Sequence, residues 1–116
     1  MASGLADDQP KVRQAVRLLL EQEQGMTVVA EAAEAESLLV QVEQAQPDLV
    51  LIDWGLQKAA GAEQFSALRQ ACPHVAVIVL SAQPGAEESA LAAGADAFVS
   101  KADPPEQLLA AIRSTG

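Results

Sequence analysis

Asp7, Asp8, Asp53, Ser81 and Lys101 are the residues whose types could do chemistry together, and each closes or follows a short run that reads as a strand. The acidic pair follows Met1 to Ala6, Asp53 closes Leu49-Val50-Leu51-Ile52, Ser81 follows Val75 to Leu80, and Lys101 comes after Ala95 to Ser100. Carboxylates brought together repel one another unless a cation sits among them, and oxygen donors of this kind suit Mg²⁺. A lysine and a hydroxyl beside them are more than metal binding needs. They fit an arriving anion, such as a phosphoryl group, that calls for charge neutralisation and a hydrogen-bond donor. Singly, each residue has an ordinary use: an acidic pair before a helix compensates its dipole, a serine turns the chain, and a lysine is solvated. Only a fold that gathers them makes a site.

The run Asp48-Leu49-Val50-Leu51-Ile52-Asp53 has four apolar residues in succession, two of them β-branched. That pattern predicts a strand buried on both faces of a parallel sheet. Such strand interiors exclude charge, so Asp53 is expected where the strand leaves the core. In open parallel α/β sheets, the carboxyl ends of the strands form the ligand crevice.

The remaining elements follow from periodicity and breakers. A short first strand is expected over residues 2 to 6, weakened by Gly4. Helix one spans 10 to 23, with Pro10 at its first position and Asp8 or Gln9 as the cap. Its apolar stripe is Val12, Ala15, Val16, Leu19 and Leu20, which leaves Lys11, Arg13 and Arg17 on solvated sides. Strand two covers 26 to 30, and helix two covers 34 to 44. Helix three runs from Gly61 to Ala71 with Phe65 and Leu68 inward, and strand four covers 75 to 80. Helix four covers 85 to 93, strand five 95 to 100, and the last helix starts at Pro104-Pro105. Strict alternation of strands and helices predicts an α/β fold with a parallel sheet, filling residues 1–116 as one domain.

Composition bounds the partners. Sixteen acidic residues against seven basic ones give a net charge of −9. That opposes direct binding to nucleic acid or to an anionic membrane, and favours a cation or a partner with a basic or neutral face. The single cysteine, Cys72, excludes an internal disulfide and suits a reducing compartment. With no run of membrane-spanning length and no signal-peptide pattern, a cytoplasmic location is expected. Cys72 and His74 flank Pro73 in a loop expected away from the site, as surface or half-buried residues without metal-ligand spacing.

With Asp7-Asp8, Asp53, Ser81, Ala82, Phe98 and Lys101 in these places, the chain resembles the receiver domain of bacterial two-component response regulators along essentially its whole length. The segments Val28 to Ala32, Val77 to Ala82 and Ala93 to Asp96 look most like the subfamily with a helix-turn-helix output domain. The resemblance implies a doubly wound, flavodoxin-like (βα)5 fold of the CheY-like superfamily, with strand order 2-1-3-4-5. It makes Asp53 the acceptor of a phosphoryl group from a sensor histidine kinase or phosphotransfer protein, in a phosphorelay. Mg²⁺ would be held by Asp8 directly, by Asp7 through water, by Asp53, and by the backbone carbonyl of Gly55. Lys101 would pair with the phosphoryl group, Ser81 would hydrogen-bond it, and Ser81 and Phe98 would form the switch. No enzymatic activity is implied beyond self-catalysed transfer and slow self-dephosphorylation. The expectation is either a stand-alone receiver or one from a longer regulator with a DNA-binding output domain outside these residues, and a homodimer is compatible with the weak first strand.

The pattern is broken in two places. Leu56-Gln57 stands where the family has a methionine-proline pair, while Gly61 keeps its expected position. The stretch from Ser81 to Lys101 is about two residues shorter than the family pattern, around Pro84-Gly85 and helix four. The alternative is therefore a degenerate receiver that works as a phosphorylation-independent interaction module. A Mg²⁺-dependent phosphatase with an aspartyl nucleophile would need a second acid where Gly55 stands. A flavin-binding electron carrier would need a hydroxyl-rich loop after strand one.

Overall fold

The computed structural model of the chain describes residues 1–56, 61–83 and 85–115. Five strands, β1 (Ala2–Ala6), β2 (Thr27–Ala32), β3 (Leu49–Asp53), β4 (Ala76–Ser81) and β5 (Ala97–Ser100), form one sheet in the order β2-β1-β3-β4-β5. Every pairing is parallel, so the expected class and strand order both hold. The helices between them are α1 (Pro10–Gln22), α2 (Ala35–Ala45), α3 (Gly61–Ala71), α4 (Ala86–Ala92) and α5 (Pro105–Thr115).

Side chains of a strand alternate between faces, and both faces here are covered. Leu49 and Leu51 of β3 pack with Leu5, Ile78 and Val99 beneath Leu20 of α1 and Leu108 and Ile112 of α5. Val50 and Ile52 pack with Val77 and Val79 beneath Leu38 and Val42 of α2, Phe65 and Leu68 of α3, and Ala90 of α4. Burying a side chain of this size is worth about 1.5–3 kcal/mol. β3 is thus anchored on two sides up to the residue before Asp53.

β1 is stronger than its sequence suggests. It lies between β2 and β3 and is buried from Ser3 to Ala6, with the Ser3 hydroxyl donating to the Thr27 carbonyl at 3.1 Å. A Cβ at Gly4 would stand 3.2 Å from Val50 Cγ1 and 3.3 Å from Leu38 Cδ1. The glycine makes room for α2 against the sheet, a packing need that strand propensity does not register. Opposite it the register of β2 slips, Ser3 facing Val28 and Gly4 facing Ala30. Val29 is the bulged residue and is exposed. A bulge twists an edge strand and discourages further pairing.

Element ends differ from the expected ones by a residue or two, β2 running on to Ala32 while β5 and α4 are shorter than expected. Ser81 is the last residue of β4 rather than the residue after it. β5 begins at Ala97, and α4 is only seven residues long, preceded by Gly85 at φ 81°. Gln9 occupies the cap position of α1 without a side-chain capping bond. Cys72 is a correction: it is fully buried, its thiol donating to the Pro47 carbonyl at 3.2 Å, while His74 is exposed. Burial pushes the Cys72 thiol pKa up, which keeps it protonated and unreactive. No helix among the described residues is long and apolar enough to cross a membrane.

Candidate functional site

The register brings the strand ends to one edge. Ala6 lies opposite Ile52, Asp53 opposite Leu80, and Ser81 opposite Ser100. Asp7, Asp53, Ser81 and Lys101 therefore leave the sheet close together, as the sequence reading requires.

Asp7 is 1% exposed, and its polar atoms are all engaged. Its N–H donates to the Ala32 carbonyl at 3.1 Å, one step beyond the β1–β2 ladder. Oδ1 accepts the Gln9 N–H at 2.9 Å, so the carboxylate also serves the start of α1. Oδ2 accepts Lys101 Nζ at 2.8 Å, and the carbonyl accepts Arg13 at 2.6 Å. Lys101 Nζ also stands 3.4 Å from Asp53 Oδ1. Asp53 is half-buried; its Oδ1 accepts the Gly55 N–H at 3.3 Å, in the short 3-10 turn Trp54–Leu56. Asp8 is exposed.

Lys101 is placed from both ends, because its N–H donates to the Ser81 carbonyl at 2.9 Å. Ser81 is buried, and its Oγ accepts the Gln83 N–H at 3.0 Å, leaving the hydroxyl hydrogen to be donated elsewhere. Phe98, in β5 opposite Val79, is half-buried against the cluster that holds Phe65 and Ala90. Gln57 and Pro84, where the pattern is broken, lie outside the described residues.

Asp7, Asp8 and Asp53 each offer an oxygen, and these atoms lie within 4.8 Å of one another. Three ionised carboxylates against one ammonium leave the cluster two charges negative. An all-oxygen donor set with a solvent-facing member suits Mg²⁺, which keeps several of its waters. The residues present fit that ion.

Burial pulls the Lys101 ammonium towards deprotonation. The hydrogen bond to Asp7 and the charges of Asp53 and Asp7 outweigh that, so its pKa lies above the ordinary lysine value. A group raised in the folded state stabilises it fully below the unfolded pKa, and the gain disappears as pH climbs through the folded one. In EDTA, the melting advantage of wild type over Lys101→Met should be flat near neutral pH and shrink above the ordinary lysine range. An advantage undiminished at pH ~11–12 would contradict this assignment.

A family model described as the response regulator receiver domain matches residues 4–113. The chain belongs to that family. This receiver is 33% identical over 112 residues to the nitrate/nitrite response regulator protein NarP of Escherichia coli K12, covering 95% of the chain and 52% of that protein. It is 34% identical over 110 residues to NarL of the same strain, covering 93% of the chain and 51% of that protein. A solved two-component response regulator of the LuxR family from Aurantimonas sp. SI85-9A1 superposes with a TM-score of 0.86 at 32% identity, over 97% of this chain and 82% of that one. The receiver spans about half the length of the curated relatives it matches. Receiver domains are in general signal transducers rather than enzymes, and bind Mg²⁺ at an acidic pocket of this kind.

One group near the site escapes the sequence reading. Arg13, expected on a solvated helix side, is mostly buried and bonded to both Asp7 and Glu31. The available signal was its position in the second turn after Pro10. Helical side chains lean towards the N-terminus, which here is where the acidic pair stands.

Proposed function

We propose that this receiver accepts a phosphoryl group on Asp53 from a sensor histidine kinase or a phosphotransfer protein. The observation that carries the reading is Asp53 held 3.4 Å from Lys101 Nζ with Asp7 and Asp8 within reach of one shared cation. An Asp53 carboxylate oxygen forms a bond to phosphorus as the bond from phosphorus to the donor's imidazole nitrogen breaks, and the imidazole leaves. Bound by Asp7, Asp8, Asp53 and the Gly55 carbonyl, Mg²⁺ would supply the charge neutralisation that phosphoryl transfer needs. Lys101 gives up part of its hold on Asp53 to pair with the phosphoryl oxygens. Ser81 donates its hydroxyl hydrogen to them, and Phe98 follows Ser81 as the second switch residue. Water later hydrolyses the acyl phosphate slowly, which is the only catalysis required of the chain.

Location in the cytoplasm, homodimer formation and a DNA-binding output in the remainder of a longer regulator accompany this reading. That the receiver spans about half of NarP and NarL supports the longer regulator. Incubation with acetyl phosphate and Mg²⁺ should add the mass of one phosphoryl group and alter Trp54 fluorescence, since Trp54 adjoins Asp53. Asp53→Asn should abolish the gain. No gain in wild type, or a gain that survives the substitution, would overturn the proposal. Partner binding unchanged in Asp53→Ala would favour the phosphorylation-independent module, which the short α4 permits.

A further inference from the structure

Arg13 is the fourth residue of α1, and its guanidinium reaches back over the first turn to the end of β1. There it donates to the Asp7 carbonyl at 2.6 Å and, through Nε, to Glu31 Oε1 at 3.1 Å. The other carboxylate oxygen of Glu31 accepts Arg17 at 2.6 Å. The Glu31 backbone is itself clamped: its N–H donates to Gln41 Oε1 at 3.0 Å, and its carbonyl accepts Gln41 Nε2 at 2.9 Å. An amide from α2 thus closes the open edge of β2 as another strand would. The bonds run from α2 through β2 and α1 to Asp7, whose N–H is already given to Ala32. The peptide groups on both sides of the Asp7 Cα are therefore held.

We infer that Arg13 is a positioning residue for the acidic pair. Through the Asp7 carbonyl it fixes where the Asp7 and Asp8 carboxylates stand relative to Asp53, and so sets the affinity of the cluster for a divalent cation. This rests on the receiver reading of the site. An arginine beside a cation site would by charge alone oppose binding. Glu31, which it shares with Arg17, offsets part of that charge, so what Arg13 chiefly contributes is orientation. Glu31→Gln leaves the guanidinium uncompensated and free to turn on the acidic cluster, where it competes with the metal.

Calorimetric titration of the full chain with Mg²⁺ tests this, alongside melting in EDTA. Arg13→Met should raise the Mg²⁺ dissociation constant about tenfold, the usual scale for groups that orient ligands. Arg13→Lys should not restore it, because one ammonium cannot hold the carbonyl and Glu31 in a fork. Glu31→Gln should weaken binding similarly, and the double variant should be no worse than Arg13→Met, as expected of residues acting as one unit. Arg17→Gln, which removes only the outer contact, should bind like wild type. If Arg13→Met fails to fold, Glu31→Gln carries the same test. Wild-type affinity in Arg13→Met, or rescue by Arg13→Lys, would overturn the inference while leaving the receiver reading intact. A wild-type chain that does not bind Mg²⁺ would overturn both.

Discussion

Lys101→Met is expected to slow phosphoryl acceptance from acetyl phosphate by about a hundredfold at saturating Mg²⁺, the scale on which one preorganised electrostatic group contributes to a transition state. Methionine keeps the unbranched stem, so packing near β5 is largely retained while the charge is lost. The cluster then has Asp7, Asp8 and Asp53 with no ammonium between them. Asp7, 1% exposed, loses a hydrogen bond that water cannot readily replace. In EDTA the variant should melt below wild type, and Mg²⁺ should recover much of the difference, because a cation again sits among the carboxylates. Rate and stability are thereby separated: Mg²⁺ rescues the fold but not the transferring group's missing partner. Intact-mass time courses at fixed donor concentration read the rate. A variant within about threefold of wild type would deny Lys101 a part in the transfer.

The clustering of the candidate site is partly legible in the sequence, because its members sit where strand-like runs stop. Parallel strands buried on both faces read as unbroken Val, Ile and Leu, so the last residue of each run marks the crevice. Asp53 and Ser81 stand at such ends, whereas Asp7 and Lys101 end the weaker runs of strands one and five. What the sequence concealed are relations between elements. Gly4 looks like a defect in β1, yet it admits Leu38 against the sheet, a contact between residues far apart in the chain. Cys72 looks like a loop residue beside Pro73, yet its thiol is enclosed and reaches the Pro47 carbonyl. Arg13 looks like one of three basic residues on a wet helix, and only the fold brings Glu31 beside it. Periodicity along one segment reports which face is buried, not which residue of another segment completes a hydrogen bond.

Leu51→Ala should cost about 3 kcal/mol of folding stability, within the usual range for a leucine truncated in a rigid core. Leu51 is wholly buried in the middle of the central strand, enclosed by Leu5 and Ile78 from its sheet neighbours and by residues of α1 and α5. Collapse around the lost carbons is opposed by strands on both sides, so the cavity persists. Against a total of about 5–15 kcal/mol for a domain, the loss is large. Urea denaturation should show a lower midpoint with an unchanged slope, since the surface exposed on unfolding hardly alters. The folded fraction should still accept a phosphoryl group at close to the wild-type rate at low temperature, because Asp53 is fixed by its pairing with β4 and by its own turn to Gly55 as well as by Leu51. Asp53→Asn should do the reverse, abolishing acceptance while changing stability little, as asparagine keeps the size of the side chain and an oxygen for the Gly55 N–H. The two variants together separate what holds β3 in place from what its last residue does. A cost below about 1 kcal/mol in Leu51→Ala would mean that the layer beneath α1 and α5 gives way easily. Asp53 would then owe its position to the opposite layer around Val50, Ile52 and Phe65.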